Sequence, residues 1–469
     1  MTLSQLNILI KNAAVAPILV ISLLLCSCGE SEETKPNFII IFTDDQGYQD
    51  VGCYGSPLIK TPNLDRMAEE GIRFTDFYSS NSVCSPSRAS LLTGCYPTRV
   101  SIPAVLFPGD EETGLNPDEI TIADLLKTQG YATTCIGKWH LGHQSEFLPT
   151  GQGFDSYFGI PYSNDMRINP AMELASDIKL YEGMTIERIR TEEPRGDWVP
   201  LMRDEQVIEY PCDQSTLTKR YTEEAVKFIT ANQNSPFFLY LPHTMPHVPL
   251  FTSEKFRGKS ERGLYGDVIE EIDWSVGEIL KTLKTLDLDE RTFVIFTTDN
   301  GPWLEFQERG GSALPLRDGK FSTYEGGMRV PCIMRWPGKI PAGEVCSEVA
   351  ATIDFLPTIA SLVNIPLPAD RIIDGKNIWQ LVTAAPNAHS PHDAYFYYRE
   401  NELQAVRSGK WKLRKTDIVE LYNLNEDMSE MNNLAEMHPD IVERLTETML
   451  NFDSELKANA RPPGIPKMK

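Results

Sequence analysis

Positive charge is scarce in this sequence: 44 Lys and Arg residues stand against 66 Asp and Glu residues, and the formal net charge of the 469 residues is −22. Most of such a surface would repel DNA or RNA, so nucleic acid is not expected as a partner. The nine cysteines form no C-x-x-C pair, which argues against a structural zinc site. Internal repeats and heptads are also lacking, so neither a repeat protein nor a coiled coil is expected.

Long apolar runs are equally rare. Residues 13–25 form one, but it is too short to span a membrane comfortably, and the letters C-S-C-G that follow resemble the lipobox of bacterial lipoproteins. We therefore expect a signal peptide over residues 1–27, a lipid on Cys28 and a polar tether over residues 28–36, with an ordinary cleaved signal as the alternative. On this interpretation the protein is exported and a lipid anchor alone holds it in the bacterial cell envelope, in the periplasm or on the outer surface.

Two apolar runs further along the chain, residues 37–43 and 292–298, have the composition of strands buried on both faces of a parallel sheet. Each runs directly into side chains that carry oxygen atoms. In open α/β sheets ligands collect at the carboxyl ends of strands, and hard oxygen donors suit Ca²⁺ or Mg²⁺ better than zinc. A turn or a helix cap is the alternative for the first pair of acids. The predicted cation ligands are Asp44, Asp45, Asp299 and Asn300.

Strand and helix patterns alternate to about residue 365, which predicts an α/β fold. We expect a large, mixed, mostly parallel sheet sandwiched by helices over residues 37–375. Short aromatic-rich strands then predict a smaller C-terminal α+β subdomain over residues 376–469, an antiparallel sheet with one helix. Residues 160–215 are rich in proline and polar residues, so we expect long insertions over one face of the sheet that shape a substrate pocket.

Three local patterns complete this map. Residues 61–71 predict a helix that is capped at its start, Thr61-Pro62-Asn63, and ends in glycine, and residues 72–78 predict the next strand. Lys138 and His140 lie two positions apart, so in an extended segment they face the same side and bring a cation and a titratable group together. A surface lysine and a core histidine are the alternative.

Residues 79–94, S-S-N-S-V-C-S-P-S-R-A-S-L-L-T-G, are the stretch around which the chemistry is expected to be organised. The letters S-P-S are typical of a helix entrance, which places Cys84 at the helix N-terminus and Arg88 one turn further on the same face. A nucleophile, a fixed positive charge and unpaired backbone N–H groups would form an anion receptor there. The alternative is a buried cysteine beside a surface arginine.

Six segments in this order identify a family. They are C-S-P-S-R at 84–88, G-K-W-H-L-G at 137–142, P-Y-S-N-D at 161–165, P-H-V-P at 246–249, T-D-N-G at 298–301 and G-K-F-S-T-Y-E-G-G at 319–327. With them the chain resembles, from Asn37 to about Leu424, the formylglycine-dependent sulfatases, and most closely the arylsulfatase A-like group of the alkaline-phosphatase superfamily.

The resemblance implies a sulfuric ester hydrolase that releases inorganic sulfate. Cys84 would be oxidised by a formylglycine-generating enzyme to formylglycine, whose hydrate attacks sulfur and forms a covalent sulfate intermediate. One divalent cation, Ca²⁺ or Mg²⁺, would be held by Asp44, Asp45, position 84, Asp299 and Asn300.

The resemblance also implies roles for the remaining site residues. Lys138 and Lys320 would bind sulfate oxygens, and Arg88 would hold the formylglycine and the acids that bind the metal. His247 with Lys320 would protonate the leaving group, and His140 would take a proton from the second hydroxyl of the intermediate to expel sulfate. Ser163 matches a position near the sulfate, whereas His243 is expected to be structural.

Export and long insertions fit a small sulfated carbohydrate as the substrate. Two other functions stay open at this stage: a phosphate mono- or diester hydrolase of the same superfamily, and a non-catalytic glycan-binding lipoprotein. Phosphatase relatives more often use two transition metals. Asn300 lowers the negative charge of the predicted metal site, which favours a single divalent cation. Export also permits disulfides among the remaining cysteines, but their spacing names no pairs.

Overall fold

A computed structural model describes residues 35–109, 113–181, 183–193, 195–196 and 198–466 of the protein. The predicted signal peptide, the Cys28 lipidation site and nearly all of the tether lie outside these ranges. No helix in the described ranges is long and apolar enough to cross a membrane. Every cysteine that the structure describes is a free thiol.

The elements of the described chain alternate as expected. The helices are α1 (Pro62–Glu69), α2 (Cys84–Thr93), α3 (Ile122–Lys127), α4 (Ile186–Thr191), α5 (Leu217–Ala231), α6 (Leu264–Thr285), α7 (Glu325–Met328), α8 (Phe355–Leu362), α9 (Trp379–Val382) and α10 (Pro439–Ala458). The strands are β1 (Asn37–Thr43), β2 (Ile72–Phe74), β3 (Phe77–Tyr78), β4 (Ala132–Lys138), β5 (Ser156–Ile160), β6 (Leu174–Leu180), β7 (Leu201–Arg203), β8 (Gln206–Tyr210), β9 (Phe237–Pro242), β10 (Thr292–Thr298), β11 (Cys332–Arg335), β12 (Glu344–Cys346), β13 (Ala350–Ala351), β14 (Tyr395–Arg399), β15 (Glu402–Ser408), β16 (Trp411–Lys415) and β17 (Val419–Asn423).

An 11-stranded sheet in the order β12-β2-β11-β10-β1-β9-β4-β5-β7-β8-β6 forms the centre of the molecule. The five strands from β10 to β5 run parallel to one another, whereas β11, β2, β7 and β8 introduce antiparallel pairs. The prediction of a mixed, mostly parallel sheet is therefore confirmed. Because the five central strands share one direction, their carboxyl ends all meet at one edge of the sheet.

Helices cover both faces of this sheet, and β1 shows why its sequence is apolar throughout. Phe38, Ile40 and Phe42 belong to the apolar core on the side of α2, α3 and α8. Ile39 and Ile41 belong to the core on the opposite side, with α1, α5 and α6. Since successive side chains of a strand point to opposite faces, a strand buried on both sides needs an uninterrupted apolar run.

The C-terminal part is a four-stranded antiparallel sheet, β14-β15-β16-β17, packed with α10, as the sequence predicted. Its core includes Tyr397 and Leu413 from the sheet and Leu445 from α10. Residues from Lys35 onward form one compact unit. The division of the chain at residue 375 remains a prediction.

Two sequence expectations about the sheet need correction. Residues 160–215 do more than cover its face, because they include β7, β8 and β6, which extend one end of the sheet. Ile168, Ile189 and Trp198 of the same segment pack in the apolar core on the side of α2, α3 and α8. These strands are short and partly exposed, so their apolar periodicity is weak. Residues 72–78 form two strands in different sheets, because β2 pairs with β11 and β3 pairs with β13.

The N-terminus of α1 is capped from another helix. Thr61 makes no capping bond to the first turn. Instead, the carboxylate of Asp273 in α6 accepts hydrogen bonds from the backbone N–H groups of Asn63 and Leu64 at 3.0 and 2.8 Å. The expected local cap is therefore replaced by a tertiary one, which no local sequence pattern could reveal.

Candidate active site

The predicted site residues come together because they lie where the central strands end. Asp44 and Asp45 follow β1, and Asp299 and Asn300 follow β10. Lys138 is the last residue of β4, while Ser163 and His247 lie shortly after β5 and β9. Cys84 opens α2, and Lys320 lies in the loop before α7. All of these side chains are buried.

Three basic side chains pair with three carboxylates in this cluster. Arg88 lies 2.8 Å from Asp299 and donates to the carbonyl oxygen of Lys138 at 3.0 Å. The Lys138 ammonium lies 2.6 Å from Asp44, and the Lys320 ammonium lies 2.8 Å from Asp45. Paired buried charges of this kind are stable only while every partner is present.

Cys84 lies within this ring of charges. Its Sγ is 3.5 Å from Oδ1 of Asp44 and 3.6 Å from Nζ of Lys320. Burial raises the pKa of the Cys84 thiol far above its usual range, although Lys138 and Lys320 oppose the shift. The side chain is therefore a neutral thiol at neutral pH and a poor nucleophile in its unmodified form.

The carboxylates differ in their protonation. Burial would raise the pKa of Asp44, but Lys138, with help from Arg88, outweighs it and holds the pKa well below the usual value. Burial and the neighbouring Asp44 carboxylate raise the pKa of Asp299 to about 7. A group of acids this close to each other suits a cation that relieves their mutual repulsion.

The donor set fits a hard divalent cation. Ligand atoms of Asp44, Cys84 and Asp299 lie within 4.8 Å of one another. The amide of Asn300 donates to Oδ1 of Asp45 at 2.7 Å, which fixes the side chain. The Oδ1 atom of Asn300 itself is buried and has no hydrogen-bond partner among the described residues. Such an orphan oxygen beside carboxylates is what Ca²⁺ or Mg²⁺ coordination would use.

His247 adjoins the cluster through its Nε2, which lies 3.6 Å from Oδ2 of Asp45. Its Nδ1 lies 2.6 Å from the carbonyl oxygen of Val248 and 3.0 Å from Oδ1 of Asn164. Both partners can only accept, so Nδ1 carries the proton in the neutral ring and Nε2 is left for chemistry. Burial and Lys320 lower the pKa of His247.

His140 is placed differently from the sequence expectation. β4 ends at Lys138, and His140 has a left-handed backbone with φ of 64°, so the two side chains are not related by an extended segment. Nε2 of His140 lies 3.0 Å from the carbonyl oxygen of Leu106, which can only accept a hydrogen bond. Nδ1 is then an unprotonated, buried base without a partner among the described residues. Burial, with Lys138 and Arg88, lowers its pKa well below the usual value.

His243 is not part of the ion-pair cluster. Its Nε2 lies 3.4 Å from Oγ of Ser275 in α6, and burial lowers its pKa to about 3. Ser163 does join the cluster, because its hydroxyl oxygen lies 3.2 Å from Nζ of Lys138 and 3.4 Å from Nε2 of His247.

Sequence reasoning missed two residues beside the site. Asn164 follows Ser163 in the P-Y-S-N-D segment and orients His247. Trp303 follows T-D-N-G-P, and its ring centroid lies 5.7 Å from that of His247 and 4.5 Å from Nζ of Lys320. The place of Asn164 in the P-Y-S-N-D segment could have pointed to it, whereas the proximity of Trp303 to the site is evident only from the structure.

Comparisons with known proteins match most of the chain. The pattern of the family described as Sulfatase matches residues 36–365, and that of the C-terminal region of N-sulphoglucosamine sulphohydrolase matches residues 317–455. N-acetylgalactosamine-6-sulfatase of Canis lupus familiaris is 40% identical over 395 residues, covering 80% of this chain and 71% of the relative. Arylsulfatase A of Homo sapiens is 40% identical over 407 residues, covering 83% and 76%.

Solved structures give the same result. The crystal structure of Ps i-CgsB in complex with k-i-k-neocarrahexaose superposes with a TM-score of 0.79 at 29% identity, and the match covers 91% of this chain and 94% of that one.

Proposed function

The chain belongs to the sulfatase family and is a sulfate ester hydrolase, and from that premise we propose that it acts through a formylglycine made from Cys84 on a sulfated carbohydrate. The observation that carries the proposal is the position of Cys84, a neutral thiol enclosed by Asp44, Lys138 and Lys320. A thiol kept protonated where a nucleophile is needed is better suited as a precursor than as the attacking group.

Formation of the formylglycine converts the side chain –CH₂–SH into –CHO in a two-electron oxidation. The C–S bond and one C–H bond break, a C=O bond forms, sulfur leaves at the sulfide level, and a two-electron oxidant brought by the maturation enzyme accepts the electrons. A formylglycine-generating enzyme is the proposed partner for this step. Cys84 is only 2% exposed, so such an enzyme would have to reach it before the chain folds. The hydrated aldehyde supplies the oxygen that attacks sulfur.

We assign the cation to Asp44, Asp45, Asp299, Asn300 and position 84. The three carboxylates and the three bases Arg88, Lys138 and Lys320 balance in charge, so a bound Ca²⁺ or Mg²⁺ would leave the pocket positive in an otherwise acidic protein. When bound, the cation polarises the sulfate oxygens and favours deprotonation of the hydrate.

Residues of the chain would bind and orient the sulfate. Lys138 and Lys320 would donate to its oxygens, and Ser163 lies beside Lys138 to add a hydroxyl. Arg88, fixed by Asp299 and the Lys138 carbonyl, would hold position 84 and the acids in register rather than bind the substrate directly.

Two histidines would transfer protons in different steps of the reaction, His247 when the ester is cleaved and His140 when sulfate is released. Nε2 of His247 and the ammonium of Lys320 adjoin Asp45, and together they would protonate the departing oxygen of the ester. His247 would act in its charged form, with a proton on both ring nitrogens, which the carboxylates of Asp45 and Asp44 favour. Nδ1 of His140 would take the proton of the remaining hydroxyl at position 84, so that the aldehyde re-forms as sulfate leaves. A serine in place of formylglycine would have no second hydroxyl, and its sulfate would be trapped.

The test is a screen of the purified mature protein on defined O-sulfated mono- and disaccharides, with the matching phosphate esters as comparison. We expect sulfate release from at least one sulfated sugar and much slower phosphate release. Cys84→Ala and Cys84→Ser should both abolish turnover in folded protein. Sustained turnover by Cys84→Ser, or faster phosphate release, would contradict the proposal.

Export and a lipid on Cys28 remain part of the proposal. Their support is the apolar run 13–25 followed by C-S-C-G. Metabolic labelling with a fatty acid should mark the wild-type chain and leave Cys28→Ala unlabelled.

A further inference from the structure

An aromatic platform adjoins the active site, formed by Trp303, Phe306 and Phe321. The ring of Trp303 lies 4.7 Å from that of Phe306 and 5.3 Å from that of Phe321, both edge to face. Phe321 is 38% exposed, and the other two rings are partly exposed. An exposed aromatic cluster beside buried catalytic groups is a typical place for a ligand.

The position of the platform follows from the proton donors. The leaving group of the ester must lie beside the groups that protonate it, which the proposed function assigns to His247 and Lys320. Trp303 contacts both: its ring lies 5.7 Å from the His247 ring, and Nζ of Lys320 lies 4.5 Å from its centroid. A ring attached to the departing oxygen would therefore come to rest near Trp303.

Phe321 has an unfavourable backbone conformation. Its backbone has φ of 72°, a left-handed conformation that bulky residues rarely adopt. Its N–H donates to the carbonyl oxygen of Ser82 at 3.1 Å, two residues before Cys84. An unfavourable backbone conformation therefore keeps a partly exposed ring close to position 84.

The surroundings of the platform favour a ring with a polar edge. Glu305, Glu308 and Arg309 lie exposed on the same segment as Trp303 and Phe306, and the indole N–H of Trp303 reaches Glu305 at 3.4 Å. A pyranose offers C–H groups on its face and hydroxyl groups at its rim, which matches apolar rings bordered by charged side chains. A purely aromatic leaving group would leave that charged border unused.

We propose that Trp303 and Phe321 bind the pyranose ring of the leaving group and so select sulfated sugars among sulfate esters. The inference rests on the proposed function and specifies the substrate class for the same site. Phe321→Asn is the sharpest variant, because asparagine tolerates the left-handed backbone but carries no ring. Leu304→Ser is the matched control, since Leu304 is 41% exposed on the same loop and is not part of the platform.

The experiment measures kcat/KM of wild type, Phe321→Asn, Trp303→Ala and Leu304→Ser on three sulfate esters: the best sulfated pyranose of the screen, an aryl sulfate and ethyl sulfate. We expect each platform variant to lose about tenfold on the pyranose, mainly through KM. Ethyl sulfate, which has no ring, should be affected less than twofold in Phe321→Asn. Leu304→Ser should match wild type on all three.

Unchanged kinetics on the pyranose, equal losses on the pyranose and ethyl sulfate, or a loss confined to the aryl sulfate would each overturn the inference and leave the sulfatase mechanism standing. A wild-type enzyme that releases sulfate from no sugar would overturn the proposed substrate class together with it. As a second readout, the desulfated sugar should inhibit wild type competitively and inhibit Phe321→Asn about tenfold more weakly.

Discussion

Asn300 is the side chain whose environment points most directly to a bound cation. Its amide is fixed on Asp45, and its buried oxygen has no partner in the described chain. An unpaired buried oxygen costs about 1–3 kcal/mol, a cost that a cation would remove.

Asn300→Leu should therefore weaken the stabilisation that Ca²⁺ gives. In chelator-treated wild type, Ca²⁺ at about 100 times its Kd should raise the free energy of unfolding by about 2.7 kcal/mol. The same concentration should raise it less in Asn300→Leu. Asn81→Leu is the control. The side-chain oxygen of Asn81 is also buried without a hydrogen-bond partner among the described residues, but its amide donates to the backbone carbonyl of Tyr398 and not to a carboxylate of the proposed cation site. An equal Ca²⁺ effect in Asn300→Leu and wild type would contradict the assignment.

At the scale of elements, α1 depends on the carboxylate that α6 places over its first turn. Burial raises the pKa of Asp273 to about 6, while the N–H groups of Asn63 and Leu64 partly oppose the shift. Asp273→Ala should lower the free energy of unfolding by about 1–2 kcal/mol, the usual value of a lost cap. Chemical denaturation measures the loss. Asp273→Asn keeps an acceptor and should lose less, and a Thr61→Ala change as costly as Asp273→Ala would show that the local cap was the important one.

The elements also show what the sequence can and cannot reveal. β1 and β10 were predictable because burial on both faces requires an unbroken apolar run, and their polar ends could be assigned to one edge by topology alone. β6 to β8 were missed because partly exposed edge strands lack that periodicity. The platform was missed because Trp303 and Phe321 meet through a loop whose backbone conformation, including φ of 72° at Phe321, has no local sequence signal.

At the scale of the whole molecule, the C-terminal sheet braces the loop that carries Lys320. Lys412 of β16 lies 2.9 Å from Glu325 and 2.7 Å from Glu430, and all three side chains are fully buried. Glu325 opens α7, five residues after Lys320. The small sheet is therefore a support for the loop that carries Lys320 as well as an appendage.

A second contact, between the segment that leads into β14 and the segment that leads into α8, should make the free energy of unfolding depend on pH. His392 lies 2.8 Å from Asp354, which precedes α8. Burial disfavours the charged imidazole, but Asp354 outweighs it and raises the pKa above the usual 6.5. The folded state thus binds the proton more tightly, so this stabilisation is complete below the unfolded pKa and is lost as the pH rises through the folded one.

Denaturation at about pH 5.5 and about pH 8.5 tests the link. Wild type should lose more stability than His392→Gln between these values, because glutamine does not titrate. Parallel changes in the two proteins would show that the ion pair with Asp354 contributes nothing.

The most direct test of the whole account is the mass of the peptide that contains residue 84, taken from protein that releases sulfate at its full rate. Formylglycine predicts a peptide about 18 Da lighter than the cysteine form, because –SH and one hydrogen are replaced by a carbonyl oxygen. The fraction of converted peptide should rise in proportion to the specific activity of different preparations. A fully active preparation in which residue 84 is only a thiol would contradict the mechanism.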